Sequence, residues 1–218
     1  GMGLVNLADE FERRAARDFD EEMKDESLSR RKKVQLEDAK VALELSAIDE
    51  AGRSRAASVS FRHLALLAQI KPDDMAVWAS LQASGAIEQP TSQLLDRLSR
   101  MRSWIDSNHF PDDMRVDLCT EPDVAALSAL NGEQRRVVLA LTQTIKAADW
   151  TVAGITSAFK RAGEEAGVGM RDVYRASYAV FMGAERGPRL APILSNCDQT
   201  DIVSLVNRAS ALASSTSD

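Results

Sequence analysis

Residues 131–183 read NGEQRRVVLALTQTIKAADWTVAGITSAFKRAGEEAGVGMRDVYRASYAVFMG, and three helices can be traced through them. Asn131-Gly132-Glu133 opens the first, and its Val137, Val138, Leu141 and Ile145 recur at the three- and four-residue spacing of one helix face. Thr151 is placed to cap the second, which carries Val152, Ile155, Phe159 and Ala162 and stops at Gly167 and Gly169. The third runs from about Met170 to Met182, with Val173, Ser177, Val180 and Phe181 on one face and Gly183 as its stop. Helical period this dense, joined by short polar turns, predicts an all-α protein.

The same period extends in both directions. Upstream, Asp112 to Leu130 is short of pattern: Arg115–Leu118 reads as briefly extended and Pro122 interrupts any helix, so the segment is expected to cross between two helical layers. Before it, Pro90-Thr91 opens a helix with Leu94, Leu98, Met101 and Ile105 on one face and Arg97, Arg100 and Arg102 off it. Phe61, Leu64, Leu67 and Ile70 mark another, ended by Pro72; Asp73 then caps one carrying Met75, Val77, Trp78 and Leu81 as far as Gly85.

Residues 51–55, with Gly52 and Ser54 and no large apolar side chain, read as a linker. The chain before them forms two charged helices with narrow apolar stripes, Leu7, Phe11, Ala15 and Phe19 in the first and Val34, Leu36, Val41, Leu45 and Ile48 in the second. Downstream of Gly183 come the loop Glu185–Arg189, the apolar turn Leu190–Leu194, a final helix with Ile202, Leu205, Val206, Ala209 and Leu212, and a polar tail over 214–218. The expected layout is a charged helical connector over 1–55, a helical subdomain over 56–110 and a second over 111–218, with about nine helices in all.

With 218 residues, 44% of them apolar, the chain can bury a sizeable core. It has 27 basic and 33 acidic residues, a net charge of −6, which taken alone argues against nucleic acid. The acid is concentrated, however: residues 1–50 carry 9 basic and 14 acidic groups, whereas residues 51–110 carry 7 and 5. Cys119 and Cys197 stand apart, without C-x-x-C spacing, and read as free thiols. Neither a membrane span nor a signal-peptide pattern is present in the sequence, so no membrane partner and a cytoplasmic location are expected.

Chemistry-bearing motifs are scarce. There is no G-x-G-x-x-G, P-loop, G-x-S-x-G or H-E-x-x-H pattern, and no catalytic residue, metal site or cofactor is assigned. His63 sits beside Arg62 on an amphipathic helix, where a solvated or core-edge role is the ordinary one; His109 lies near a helix end, where a cation meets the last carbonyls favourably. Adjacent carboxylates such as Asp73-Asp74 and Glu164-Glu165 read as solvated helix starts and faces. The run Arg30-Arg31-Lys32-Lys33 has Glu26 and Glu37 four residues away on either side, which favours a salt-bridged exposed helix over a phosphate contact. More informative is Glu185-Arg186-Gly187-Pro188-Arg189, which holds two guanidinium groups on a stiff loop just past a helix end. Its plainer reading is a turn in which Glu185 neutralises one arginine.

That loop, within the stretch from Asp172 to Leu194 (DVYRASYAVFMGAERGPRLAPIL), resembles the C-terminal part of class I lysyl-tRNA synthetases. Four more stretches agree in order: Asp9–Arg13, Val59–Leu64, Pro111–Asp113 and Asn131–Arg135. The likeness spans about Leu4 to Ala209. It implies a helical anticodon-binding bundle, the α-helix cage related to that of glutamyl-tRNA synthetases. The family's catalytic domain, with its His-Ile-Gly-His and Lys-Met-Ser-Lys-Ser signatures, has no counterpart in the sequence, so this chain alone is not expected to form lysyl adenylate. It would be either a C-terminal fragment of such a synthetase or a free-standing paralogue. The resemblance implies two partners, the anticodon stem-loop of lysine tRNA and, for a fragment, the catalytic domain of the parent synthetase. The expected RNA contacts are Arg62, His63, Arg175, Arg186 and Arg189. The alternative is a non-enzymatic helical module that binds protein through the acidic arm of residues 1–50.

Overall fold

The computed structural model describes residues 2–46 and 59–215. They form twelve α-helices and one 3-10 turn, with no strand among the described residues, so the all-α expectation holds. Residues 1–65 and 74–109 group into one compact unit, and residues 66–73 and 110–218 into another.

The first unit contains α1 (Met2–Ala15), α2 (Phe19–Met23), α3 (Arg30–Ser46), the start of α4 (Phe61–Ile70), α5 (Asp74–Ala83) and α6 (Ser92–Ile105). Leu64, Val77, Trp78, Leu81, Leu94, Leu98 and Met101 are buried, matching the helical period read from the sequence. What fastens α1 is polar. The Glu12 carboxylate accepts hydrogen bonds from the Phe61 amide, 2.9 Å to each oxygen, and pairs with Arg97. Arg97 also donates to the Val59 carbonyl at 3.1 Å and lies over the Phe61 ring, 5.9 Å from its centroid. Next to this knot Arg62 pairs with Asp9 and donates to Asn6 Oδ1 at 3.2 Å.

The second unit holds the end of α4, the 3-10 turn Asp112–Met114, α7 (Val124–Ser128), α8 (Gly132–Lys146), α9 (Val152–Ala166), α10 (Met170–Met182), α11 (Leu190–Leu194) and α12 (Gln199–Ser215). α8 is central and packs on α9, α10 and α12. It starts in a capping box: Asn131 Oδ1 accepts from the Gln134 amide at 2.8 Å, and Gln134 Oε1 accepts from the Asn131 amide at 3.2 Å. Val137, Val138, Leu141, Ile145, Ile155, Phe159, Val173, Val180 and Phe181 are fully buried, each burial removing roughly 1.5–3 kcal/mol worth of apolar surface from water. Thr151 caps α9, Gly167 ends it in the left-handed conformation, and Gly169 starts α10.

Three helices escaped the sequence reading, each of five residues: α2, α7 and α11. The single helix expected to carry Leu7, Phe11, Ala15 and Phe19 breaks after Ala15, and Asp18 turns its carboxylate onto the Glu21 amide (3.0 Å) to start α2. Asp123 does the same for α7 through the Ala126 amide at 2.9 Å, immediately after the Pro122 that was expected to exclude a helix. Arg30–Lys33 begins α3, but neither Glu26 nor Glu37 forms an ion pair with it among the described residues; Lys40 reaches Asp20 of α2 instead, at 2.7 Å. The linker over 51–55 lies outside the described residues, as does the end of the tail, while Ser214 and Ser215 belong to α12. No helix among the described residues is long and apolar enough to cross a membrane.

Candidate nucleic-acid interface

The Glu185–Arg189 loop is fixed at both ends. α10 closes at Gly183, whose φ of +59° is a left-handed conformation that suits glycine, and whose amide bonds back to the Tyr178 carbonyl. A Cβ at this position would lie 2.8 Å from Asp123 Oδ2, the cap of α7, so the close packing there also requires glycine. Beyond it, Glu185 turns back along α10 and accepts from Arg175 Nη2 at 2.6 Å. The Tyr178 hydroxyl lies 2.9 Å from the Gly187 carbonyl and 3.0 Å from that of Pro188, donating to the pair. Gly187 packs so closely on Met182 and Tyr178 that a Cβ would come within 2.9 Å of the sulfur. Leu190 and Leu194, in the helix that follows the loop, are buried in the core.

The arrangement settles how the arginines divide the work. Glu185 is taken by Arg175, not by either loop arginine. Arg186 and Arg189 are exposed, and neither has an ion-pair or hydrogen-bond partner among the described residues. Two uncompensated guanidinium groups therefore project from a loop whose backbone is held by a tyrosine, a glycine contact and a buried leucine.

Arg62 and His63 lie in the other compact unit. Arg62 already has a carboxylate, that of Asp9, so its charge is matched within the fold. His63 is half-buried one residue further along α4, and burial holds its imidazole below the ordinary range. At neutral pH it is an uncharged side chain, poorly suited to meeting phosphate. The same burial makes a pH prediction. The unfolded chain takes up the His63 proton near 6.5 while the folded chain resists it, so stability conferred at higher pH is lost as pH falls through that region. His63→Gln is expected to flatten the fall in Tm between about pH 7 and 5.5, which thermal unfolding across that range would show.

The sequence reading passed over Tyr174 and Tyr178, the only tyrosines in the chain. Four residues apart on α10, they wall an open groove of about 410 Å³ whose other sides come from Val152 and Thr156 of α9 and from Arg189, Leu190 and Pro192. The signal was their spacing, which puts both rings on one helix face. A larger cavity of about 790 Å³ in the same unit includes Lys71, Arg208, Cys119 and Cys197 in its lining. Its cations are spent internally: Lys71 Nζ donates to the Asn196 carbonyl at 2.6 Å, and Arg208 to the Thr120 carbonyl at 2.9 Å while pairing with Glu121. Burial pushes the Cys197 thiol up to about 11, which removes it as a nucleophile at neutral pH. Of the two cavities, the tyrosine groove is the one lined by an uncommitted cation.

No family model matches the chain. It is similar over nearly its whole length to lysine–tRNA ligases. The ligase of Thermoplasma volcanium is 27% identical over 197 residues, which cover 90% of this chain and 35% of that protein. The ligase of Thermococcus kodakarensis is 27% identical over 210 residues, 93% of this chain and 38% of that protein. The ligase of Picrophilus torridus is 24% identical over 205 residues, 93% of this chain and 37% of that protein. The resemblance to lysyl-tRNA synthetases read from the arginine loop is thus borne out across the chain, which spans little more than a third of the length of the curated relatives it matches.

Proposed function

We propose that this chain is a tRNA-recognition region of the lysine–tRNA ligase type, which binds the anticodon stem-loop of lysine tRNA in the cytoplasm and does not activate lysine by itself. The observation that carries the reading is the loop. Arg186 and Arg189 are exposed, uncompensated and held on a fixed backbone, and guanidinium groups so placed meet phosphates bidentately and stack on unpaired bases. The similarity of nine-tenths of the chain to lysine–tRNA ligases supports lysine tRNA as the ligand. In a longer ligase, the catalytic domain would be the second partner.

Binding of lysine tRNA should be compared with that of the same tRNA carrying an exchanged anticodon, at one fixed salt concentration. The exchanged tRNA is expected to bind about tenfold more weakly, since a wrong base at a specific contact costs on the order of 1–3 kcal/mol. Equal affinity for the two, or none for either, would overturn the proposal. A second reading, a helical module that binds protein, draws on one observation: Leu7 and Phe11 of α1 and Val34, Val41 and Leu45 of α3 are exposed apolar side chains on a charged arm. RNase-resistant capture of a protein that is lost on Leu45→Glu would favour it.

A further inference from the structure

We infer that the tyrosine groove is a slot for a single unpaired nucleobase, with Tyr174 as its stacking platform and Arg189 as the cation for an adjoining phosphate. The inference rests on the RNA-binding reading above and deepens it.

Three features of the groove fit a nucleotide together. Its shape is suitable: about 410 Å³ lies within the range of small-ligand sites and leaves room for one base and its sugar. Its surface is suitable. The wall consists of two aromatic rings with centroids 6.5 Å apart and planes tilted by 35°, side by side as neighbours on α10. A base would therefore stack against this wall, not between jaws, while Val152 and Leu190 cover the flanks. Its charge is suitable as well. In a protein with a net charge of −6, no carboxylate lines this groove, and its one charged side chain is the uncommitted Arg189. A flat apolar face beside a lone cation is complementary to a base that carries a phosphate.

The two rings have different duties. Tyr178 spends its hydroxyl on the carbonyls of Gly187 and Pro188, which makes it a positioning residue that sets the loop, and with it Arg189. The Tyr174 ring is braced edge-on by Phe159, at 5.9 Å and 70°, yet its hydroxyl has no hydrogen-bond partner among the described residues. It is held in place and still has an unused donor. Thr156 donates to the Val152 carbonyl at 2.6 Å, which leaves its oxygen free to accept from a base edge.

The test pairs RNA and protein changes. Anticodon stem-loops of lysine tRNA, with each loop nucleotide in turn made abasic, are titrated against the full chain and its Tyr174→Leu and Tyr174→Phe variants. Leucine keeps apolar volume against Phe159 and removes the π face together with the hydroxyl, whereas phenylalanine removes the hydroxyl alone; circular dichroism verifies folding. For the wild type, one abasic position is expected to weaken binding about tenfold, and Tyr174→Leu should cost about the same. Combined, the two losses should not add, and Tyr174→Phe should retain most of the affinity. Additive losses, or unchanged binding by Tyr174→Leu, would overturn the slot while leaving the RNA-binding reading in place. Should no stem-loop bind, that reading fails, and the slot is then decided with UMP and AMP alone. Saturable upfield shifts of the nucleotide's base protons, lost with Tyr174→Leu, would uphold it; no shift at millimolar nucleotide would overturn it.

Discussion

Glu12→Ala is expected to lower the stability of the N-terminal unit by about 2–3 kcal/mol, a large effect for one surface-proximal carboxylate. The carboxylate meets two obligations at once. It satisfies the Phe61 amide at the start of α4, one of the donors that a helix leaves without an internal partner, and it balances Arg97. Removing one partner of a fully buried pair costs about 3–5 kcal/mol, because the remaining charge has lost both water and counter-charge. These side chains retain 24% and 18% exposure, so water returns in part and the expected loss is smaller. Glu12→Gln separates the two duties, since the amide oxygen still accepts from Phe61 while the charge facing Arg97 is gone; its loss should be about half as large. Thermal unfolding gives the magnitude, and hydrogen exchange at the amides of Phe61–Leu64 gives the location. If Tm and those exchange rates are unaltered in Glu12→Ala, the knot does not hold α1 to α4.

The knot also shows what a sequence displays and what it conceals. Asp9–Arg13 and Val59–Leu64 each carried part of the family likeness, and Arg62 drew notice as a cation near a histidine. Its partner Asp9 lies 53 residues away in the chain, and no periodicity links two residues at that distance. A charge that looked available for RNA is matched inside the fold. By contrast, α8, α9 and α10 were legible nearly to the residue. Each is long enough for its apolar face to repeat, and each is bounded by residues whose chemistry is local: the Asn131 box, the Thr151 cap, Gly167 and Gly183. The five-residue helices complete barely one turn, so no face repeats, and a capping aspartate such as Asp18 or Asp123 reads in sequence like any solvated acid. Of the candidate interface, the arginine loop was visible because all its parts are contiguous. The groove was not, because Val152, Tyr174 and Leu190 come from three elements, and only the fold closes them around one space.

Arg186→Ala combined with Arg189→Ala is expected to weaken binding of the lysine tRNA stem-loop by roughly 30- to 100-fold near 0.1 M salt, about 2–3 kcal/mol for two charge-assisted contacts. The dependence on salt separates this from a change in shape. Each lost phosphate contact removes a released counterion, so the slope of log affinity against log salt should become shallower by about 0.7–0.9 for each arginine. The control is Arg100→Ala, which also removes one positive charge, but from an exposed side chain already paired with Asp96. If the field of the whole molecule governed binding, Arg100→Ala would weaken it as much as either loop substitution does. Local contacts predict instead that Arg100→Ala leaves affinity and slope nearly unchanged, because its charge is balanced next to it. An acidic protein can therefore bind an anion when its cations are uncompensated at one place and its acids are spent elsewhere, as those of Asp9, Glu12 and Glu185 are on Arg62, Arg97 and Arg175. If the double variant binds as the wild type does, with the same salt slope, the loop is a structural turn, and the cations that meet RNA lie elsewhere on the chain.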